Sequence, residues 1–216
     1  MMLKIKIAPS ILAADKTRLN EEIAKIEQFA DLIHIDVMDG KFVESTAITA
    51  EETKQIKVSL PMEAHLMVNN PEHNWIDDFV DAGCSTIIIH EEAPVTILNA
   101  IQKIKSRGAK VGISLKPATP LSRLRPYLKY ADMVLIMSVN PGYSGQKFIP
   151  KILSKISELR KSHPHLDIEV DGGINLETAK LSAKAGANIF VAASYIFGAK
   201  DSIKAIQDLR NAVEIV

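Results

Sequence analysis

The sequence predicts an α/β fold, a single-domain (β/α)8 TIM barrel, and three observations carry that prediction. Short β-branched runs alternate with amphipathic segments along the whole chain, the pattern of parallel strands joined by helices. Eight such units fill the 216 residues at about 27 each, with no composition break to mark a linker, so the domain is read as 1–216. The unusual polar residues fall at the C-terminal ends of the strand runs, where barrels of this kind carry their sites. An open doubly wound sheet would normally show a Gly-x-Gly-x-x-Gly turn after the first strand, where this chain reads "APSILAAD" (8–15).

Taken in order, the strands are "KIKIA" (4–8), "LIHIDV" (32–37), "MEAHLM" (62–67), "TIIIH" (86–90), "KVGISL" (110–115), "MVLIMSV" (133–139), "DIEVD" (167–171) and "IFVAAS" (189–194). Helical patterns lie between them. Leu19, Ile23, Ile26 and Ala30 share one helix face, as do Ile203, Ile206, Leu209 and Val213. Pro71, Pro120 and Pro150 stand where first helical turns would begin. Gly83, Gly108 and Gly186 follow helical patterns in the position of a C-terminal cap.

Composition bounds the partners. Formal charge is zero, 26 basic against 26 acidic residues, and no basic tract offers a nucleic-acid footprint. A small neutral or anionic metabolite is the expected partner. The single cysteine, Cys84, excludes an intrachain disulfide framework and favours a reducing cytosol. Flanked by Gly83 and an apolar run, it reads as a small buried residue. "MMLKIKIAPSILAAD" reads as a first strand, not a signal peptide, and no stretch approaches a membrane span. A cytoplasmic protein with no membrane segment is expected.

The second strand is the informative one. Pleating sends Ile33, Ile35 and Val37 to one face and His34, Asp36 and Met38 to the other. Burying the second set is costly without partners. His34 and Asp36 end strand two, His65 ends strand three, and Asp171 approaches from across the barrel mouth. Two imidazoles and two carboxylates converging there make a transition-metal site, favouring zinc, iron, manganese or cobalt over magnesium. Glu63 and Glu169 point inward one step below and are expected to support the site. Asp39 is expected to shape the turn with Gly40. His73, His163 and His165 read as solvent-exposed.

Glycine-rich ends carry a second theme. "NPGYSGQ", "DGG" and "AAS" follow strands six, seven and eight, the quarter of such barrels where loop amides and a short helix often hold phosphate. The amides around Gly142, Ser144, Gly145, Gly172, Gly173, Ala193 and Ser194 are the expected cradle.

Together, "IAPSILAAD", "HIDVMDGKFV", "HLMV", "LKPATP", "MSVNPGYSGQKFIP" and "EVDGGIN" resemble the ribulose-phosphate 3-epimerase family, in order and over nearly the whole chain. The resemblance implies interconversion of D-ribulose 5-phosphate and D-xylulose 5-phosphate in the pentose phosphate pathway, with one divalent metal, commonly Zn2+, Fe2+, Mn2+ and Co2+ being the other candidates. It implies His34, Asp36, His65 and Asp171 as ligands and Asp36 and Asp171 as the two acid/base residues. It places Ser10, Met38, Met67, Met137 and His65 around the sugar, and His90 with Glu92 at the rim, with a positioning or a structural role. The sequence departs from the family at Glu44-Ser45, where Pro-Asn is usual. A self-associating homo-oligomer is expected. Epimerisation next to a ketone passes through an enediolate and needs a positive partner for its oxygen and two separate proton-transfer groups. The alternatives are an epimerase for a six-carbon ketose phosphate and a non-catalytic sugar-phosphate binding barrel. A decarboxylase or aldolase-like synthase would want an Asp-x-Lys-x-x-Asp run, and Lys41 stands in the wrong register for one.

Overall fold

In the computed structural model, which describes residues 3–214, every β-branched run becomes a strand of one parallel sheet. Met1, Met2, Ile215 and Val216, which the 1–216 reading includes, lie outside the described residues. The strands are β1 (Lys6–Pro9), β2 (Ile33–Met38), β3 (Met62–Met67), β4 (Cys84–His90), β5 (Lys110–Leu115), β6 (Met133–Met137), β7 (Asp167–Asp171) and β8 (Ile189–Ala192). Each pairs with its sequence neighbour from β2 to β8, and β1 pairs with β8. Between β1 and β2 the ladder thins to one parallel bridge, Ser10 to His34. The sheet is thus a nearly closed barrel.

Alternation along the strands builds two separate cores. Ile33, Ile35, Val37, Val111, Ile113, Leu115, Val134 and Ile136 point outward and pack with helix residues such as Ile23, Ile26, Ile104 and Leu209. Ala8, Ile88, Met133, Leu135, Met137, Ile189 and Val191 form a second cluster inside the barrel. Each fully buried isoleucine stabilises the fold by about 1.5–3 kcal/mol. Gly112 is required on the inner face, because a Cβ there would lie 2.6 Å from Ile88 Cγ1. The apolar plug occupies the sides of β4, β6 and β8. The inner face of β2, β3 and β7 is left to His34, Asp36, Glu63, His65, Glu169 and Asp171.

The outer layer contains α1 (Leu19–Ile26), α2 (Ala50–Thr53), α3 (Trp75–Asp81), α4 (Ile97–Ser106), α5 (Leu153–Ser162), α6 (Leu176–Ala185), α7 (Ser194–Phe197) and α8 (Ser202–Glu214). Gly83, Gly108 and Gly186 do follow α3, α4 and α6, all with positive φ, as C-terminal caps require. The prolines behave less uniformly. Pro120 and Pro150 start 3-10 turns (Leu121–Leu124 and Pro150–Ile152), and the β5–β6 connection contains only 3-10 turns. Pro71 lies in a turn four residues ahead of α3, with Ile76 N–H donating to its carbonyl. Strands six and eight are shorter than the sequence suggests, since the chain leaves the sheet after Met137 and, two residues after Ala192, enters α7. Cys84 is buried at the start of β4, where burial pushes its thiol up to about 12.

Candidate active site

The four residues read as ligands meet at the C-terminal mouth. Asp36 and His65 are register partners across β2 and β3, as are His34 and Glu63. This pairing places two imidazoles against one carboxylate: Asp36 Oδ1 lies 3.5 Å from His34 Nε2 and 3.4 Å from His65 Nδ1. Asp171 enters from β7, its Oδ2 3.9 Å from His65 Nδ1. One donor atom from each of the four lies within 4.8 Å of all the others.

His34 Nε2 and His65 Nδ1 are buried with no hydrogen-bond partner among the described residues, a costly state for two polar atoms facing the same point. The two shorter spacings, 3.4 and 3.5 Å, are close to the edges of a tetrahedron with ~2.0–2.1 Å metal–ligand bonds, and Asp171 stands wider at 3.9 Å. The donor set therefore fits a divalent transition metal. The opposite edges of both rings are held. His34 Nδ1 lies 2.7 Å from Glu63 Oε1 and 3.2 Å from Glu169 Oε1. His65 Nε2 lies 2.9 Å from His90 Nε2, and His90 Nδ1 lies 3.0 Å from Glu92 Oε2. Glu63 and Glu169 thus support His34, the residue two strand positions back, and not His65 or Asp171. His90 is fully buried beside the centre, not on its rim.

Charge is distributed unevenly among these groups. Burial is the largest influence on His34 and opposes protonation, yet Asp36, Glu169 and Glu63 together raise it well above the ordinary histidine range. Burial also pulls Asp36 upward, but His34 and His65 hold it far below the usual carboxylate range. His65 is lowered to about 4, chiefly by burial. Asp171 moves the other way: burial first, then the charge of Asp36, push it up to about 7. Burial and the charge of Glu63 raise Glu169 well above the usual carboxylate range, against the pull of His34. Glu92 stays ionised at about 2: burial pulls it upward, but hydrogen bonds from His90 and Thr119 outweigh this.

Above the cluster lies a small cavity that opens to solvent at the barrel mouth. Asp36, Met38, Met67, Met137 and Asp171 line it, as do Gly142, Ser144, Gly145, Gly172, Gly173, Ala193 and Ser194. The structure thus gathers nearly every residue singled out in the sequence. Ser10 is one exception. It is buried beside the cavity, where its Oγ donates to Asp36 Oδ2 at 2.5 Å and accepts from Leu12 N–H. His65 likewise lies beneath the lining, fully buried. Leu12, Val139, Ile174 and Val191 also line the cavity; the first three lie inside the quoted motifs, where only their apolar character marks them. Asp39 does shape its turn, accepting from Lys41, Phe42 and Asn69 N–H. His73 and His165 are exposed, but His163 is half-buried with Nδ1 2.9 Å from Ser162 Oγ.

A nearly closed parallel barrel with a buried His/Asp cluster under a glycine-walled cavity defines an α/β-barrel enzyme. Solved structures agree on the fold: the chain superposes on 3-hexulose-6-phosphate synthase from Salmonella typhimurium with TM-score 0.75 at 19% identity, covering 98% of this chain and 99% of that one. Sequence is more specific. The model of the "Ribulose-phosphate 3 epimerase family" matches residues 6–197. The ribulose-phosphate 3-epimerase of Bacillus subtilis (strain 168) is 43% identical over 216 residues, 96% of this chain and 99% of its relative. That of Schizosaccharomyces pombe is 40% identical, over 98% and 95%. The chain belongs to the ribulose-phosphate 3-epimerase family and is an isomerase. Among the described residues, no helix is long and apolar enough to cross a membrane.

Proposed function

We propose that this chain interconverts D-ribulose 5-phosphate and D-xylulose 5-phosphate by moving a proton between C3 and two carboxylates, Asp36 and Asp171. The observation that carries the reading is the placement of two buried carboxylates on different strands around one centre, oppositely biased in the metal-free protein. Asp36 is held ionised, and Asp171 is raised to about 7. They stand three strands apart around the barrel, on β2 and β7, so each can serve one face of a planar intermediate. Two titratable groups pushed apart by their surroundings are the pattern of an acid/base pair.

His34, Asp36, His65 and Asp171 would hold one divalent metal, zinc first among Zn2+, Fe2+, Mn2+ and Co2+. When bound, it supplies a fixed positive charge for the oxygen that becomes anionic as the proton leaves. The protein residues do the rest. Asp36, oriented by Ser10, takes the proton from one face, while Asp171 delivers its own to the other; the roles exchange in the reverse direction. Met38, Met67 and Met137 give the sugar an apolar, adaptable floor. The phosphate is assigned to backbone amides around Gly142, Ser144, Gly145, Gly172, Gly173, Ala193 and Ser194. Positive φ at Gly142, Gly145, Gly172 and Gly173 supports this by turning those loops into a concave wall. The single buried Cys84 suits a reducing cytoplasm.

Single-turnover conversion of ribulose 5-phosphate in D₂O tests the reading. A short carboxylate on a strand end cannot reach both faces, so product should carry solvent deuterium at C3. Substantial return of the substrate's own hydrogen would rule the two-base scheme out. Faster turnover of a six-carbon ketose phosphate would move the substrate assignment, and no turnover of either would leave a binding protein.

A further inference from the structure

We infer that His90 and Glu92 are positioning residues that dictate which nitrogen of His65 carries its proton, leaving Nδ1 bare toward the centre. The inference rests on the reading of His65 as a ligand and explains how its lone pair is made available there.

The direction of the chain follows from what each atom can do. Lys116 backbone N–H donates to Glu92 Oε1 at 2.8 Å. That amide is itself held in place, because Lys155 Nζ reaches the carbonyls of Lys116, Pro117 and Thr119 from α5. The other oxygen, Oε2, faces His90 Nδ1 at 3.0 Å. A carboxylate only accepts, so His90 carries its proton on Nδ1. A neutral imidazole has one N–H, which leaves His90 Nε2 an acceptor. His90 Nε2 lies 2.9 Å from His65 Nε2, and a hydrogen bond there needs one proton, which can only come from His65. His65 is then the Nε2–H tautomer. Its other nitrogen, Nδ1, has no hydrogen-bond partner among the described residues and faces Asp36 and Asp171.

Packing prevents the rings from turning out of this arrangement. His90 is fully buried, stacked on His65 with centroids 5.0 Å apart and covered by Phe42 at 4.9 Å. Lys116 Nζ sits 3.9 Å from the Phe42 ring centroid and closes that side. Both imidazoles of the centre are therefore anchored by carboxylates: His34 directly by Glu63, and His65 through an intervening imidazole. Outer partners that fix a ligand's tautomer commonly change metal affinity by about 10–100-fold when altered.

Glu92→Gln tests this with almost no change of shape. The Lys116 amide still requires an oxygen facing it, so the NH2 group of the new carboxamide faces His90 Nδ1 and donates. His90 then carries its proton on Nε2, and His65 must move its own to Nδ1, the atom needed as a ligand. Imidazole 15N shifts at pH 8, with zinc removed by chelation, should show His65 protonated on Nε2 in the wild type and on Nδ1 in Glu92→Gln. Chelator competition should show zinc bound about 10–100-fold more weakly by that variant. His90→Phe, which strands the His65 Nε2–H without an acceptor, should weaken zinc similarly. A wild-type His65 protonated on Nδ1, or an unchanged tautomer and zinc affinity in Glu92→Gln, would overturn the inference. The wild-type measurement decides the tautomer even where a variant fails to fold. Zinc bound as tightly by His65→Ala as by the wild type would instead sink the ligand reading on which the inference rests, and leave the tautomer result standing.

Discussion

Asp171→Asn should make the metal-free protein more stable at pH 8 and the zinc-loaded protein less so. Asp171 is held at about 7 in the folded state against an ordinary 3.8. A carboxyl whose folded value is raised binds its proton more tightly in the native state than in the unfolded one. Stability then falls as pH climbs from the unfolded value to the folded one, and the full penalty is present above both. A shift of about three pH units corresponds to ~4 kcal/mol. Only about one-sixth of the side chain is exposed, at 16%, so solvent screens little of this. Asparagine mimics the neutral acid and escapes the penalty. Urea unfolding with chelator present should show little advantage for the variant near pH 4, about 1.5 kcal/mol at pH 5, and up to ~4 kcal/mol at pH 8. The wild-type background also slopes, because the raised His34 contributes stability that is complete below 6.5 and is lost as pH passes its folded value. The difference between the two proteins reports Asp171 together with its pull on Asp36 and His34. Adding zinc should invert the order, since a ligand that binds only the native state stabilises most the protein with the complete donor set. A pH-independent difference in chelator, or no inversion with zinc, would refute the assignment of Asp171 as a strained acid at the centre.

Two further outcomes follow from the same geometry. His65→Ala should lose zinc content and activity together, as metal analysis of the purified variant beside the ribulose 5-phosphate assay would show; full retention of metal removes His65 from the ligand set. Gly173→Val should raise KM for the phosphorylated substrate by about 10–100-fold, as expected for one charge-assisted hydrogen bond of ~1.5–3 kcal/mol, and normal binding would mean the phosphate cradle lies elsewhere.

The structure also changes the reason for that last outcome. Gly173 has φ +62°, and a Cβ would lie 2.8 Å from Phe148 N and 2.9 Å from Gln146 O. The residue therefore lets the loop after β7 press against the backbone after β6, besides exposing its amide. Sequence shows a glycine run but not what approaches it. The fold itself was legible for a simple reason: strands and helices differ in hydrophobic period, and eight repeats of that contrast leave few alternatives. Strand ends were less legible. Ala193 and Ser194 are small enough to end a strand, and only α7 forming at Ser194 shows that β8 has stopped. The β5–β6 connection lost its expected helix to prolines at 117, 120 and 126, which fit 3-10 turns and a loop held by Lys155.

The site was legible to its four central residues and to the presence of Glu63 and Glu169 behind them, but not to which residue each of these holds. Period-two alternation places His34 beside Asp36 on the inner face, and the parallel register sets His65 opposite Asp36, so the centre follows from strand patterns alone. What stands behind the centre depends on the offsets between strands. Glu63 lies two residues before His65 yet contacts His34, because register pairs it across β3 and β2. His90 is two strands from β2, and it reaches the centre only because β4 packs its terminal imidazole flat against His65. Ser10 faces Asp36 because the barrel closes through a single bridge between Ser10 and His34. Each of these contacts is set by the placement of one strand against another, through register for Glu63 and His90 and through closure for Ser10. A motif written along one strand cannot contain it, and the partners that fix protons around the centre are for that reason visible only in three dimensions.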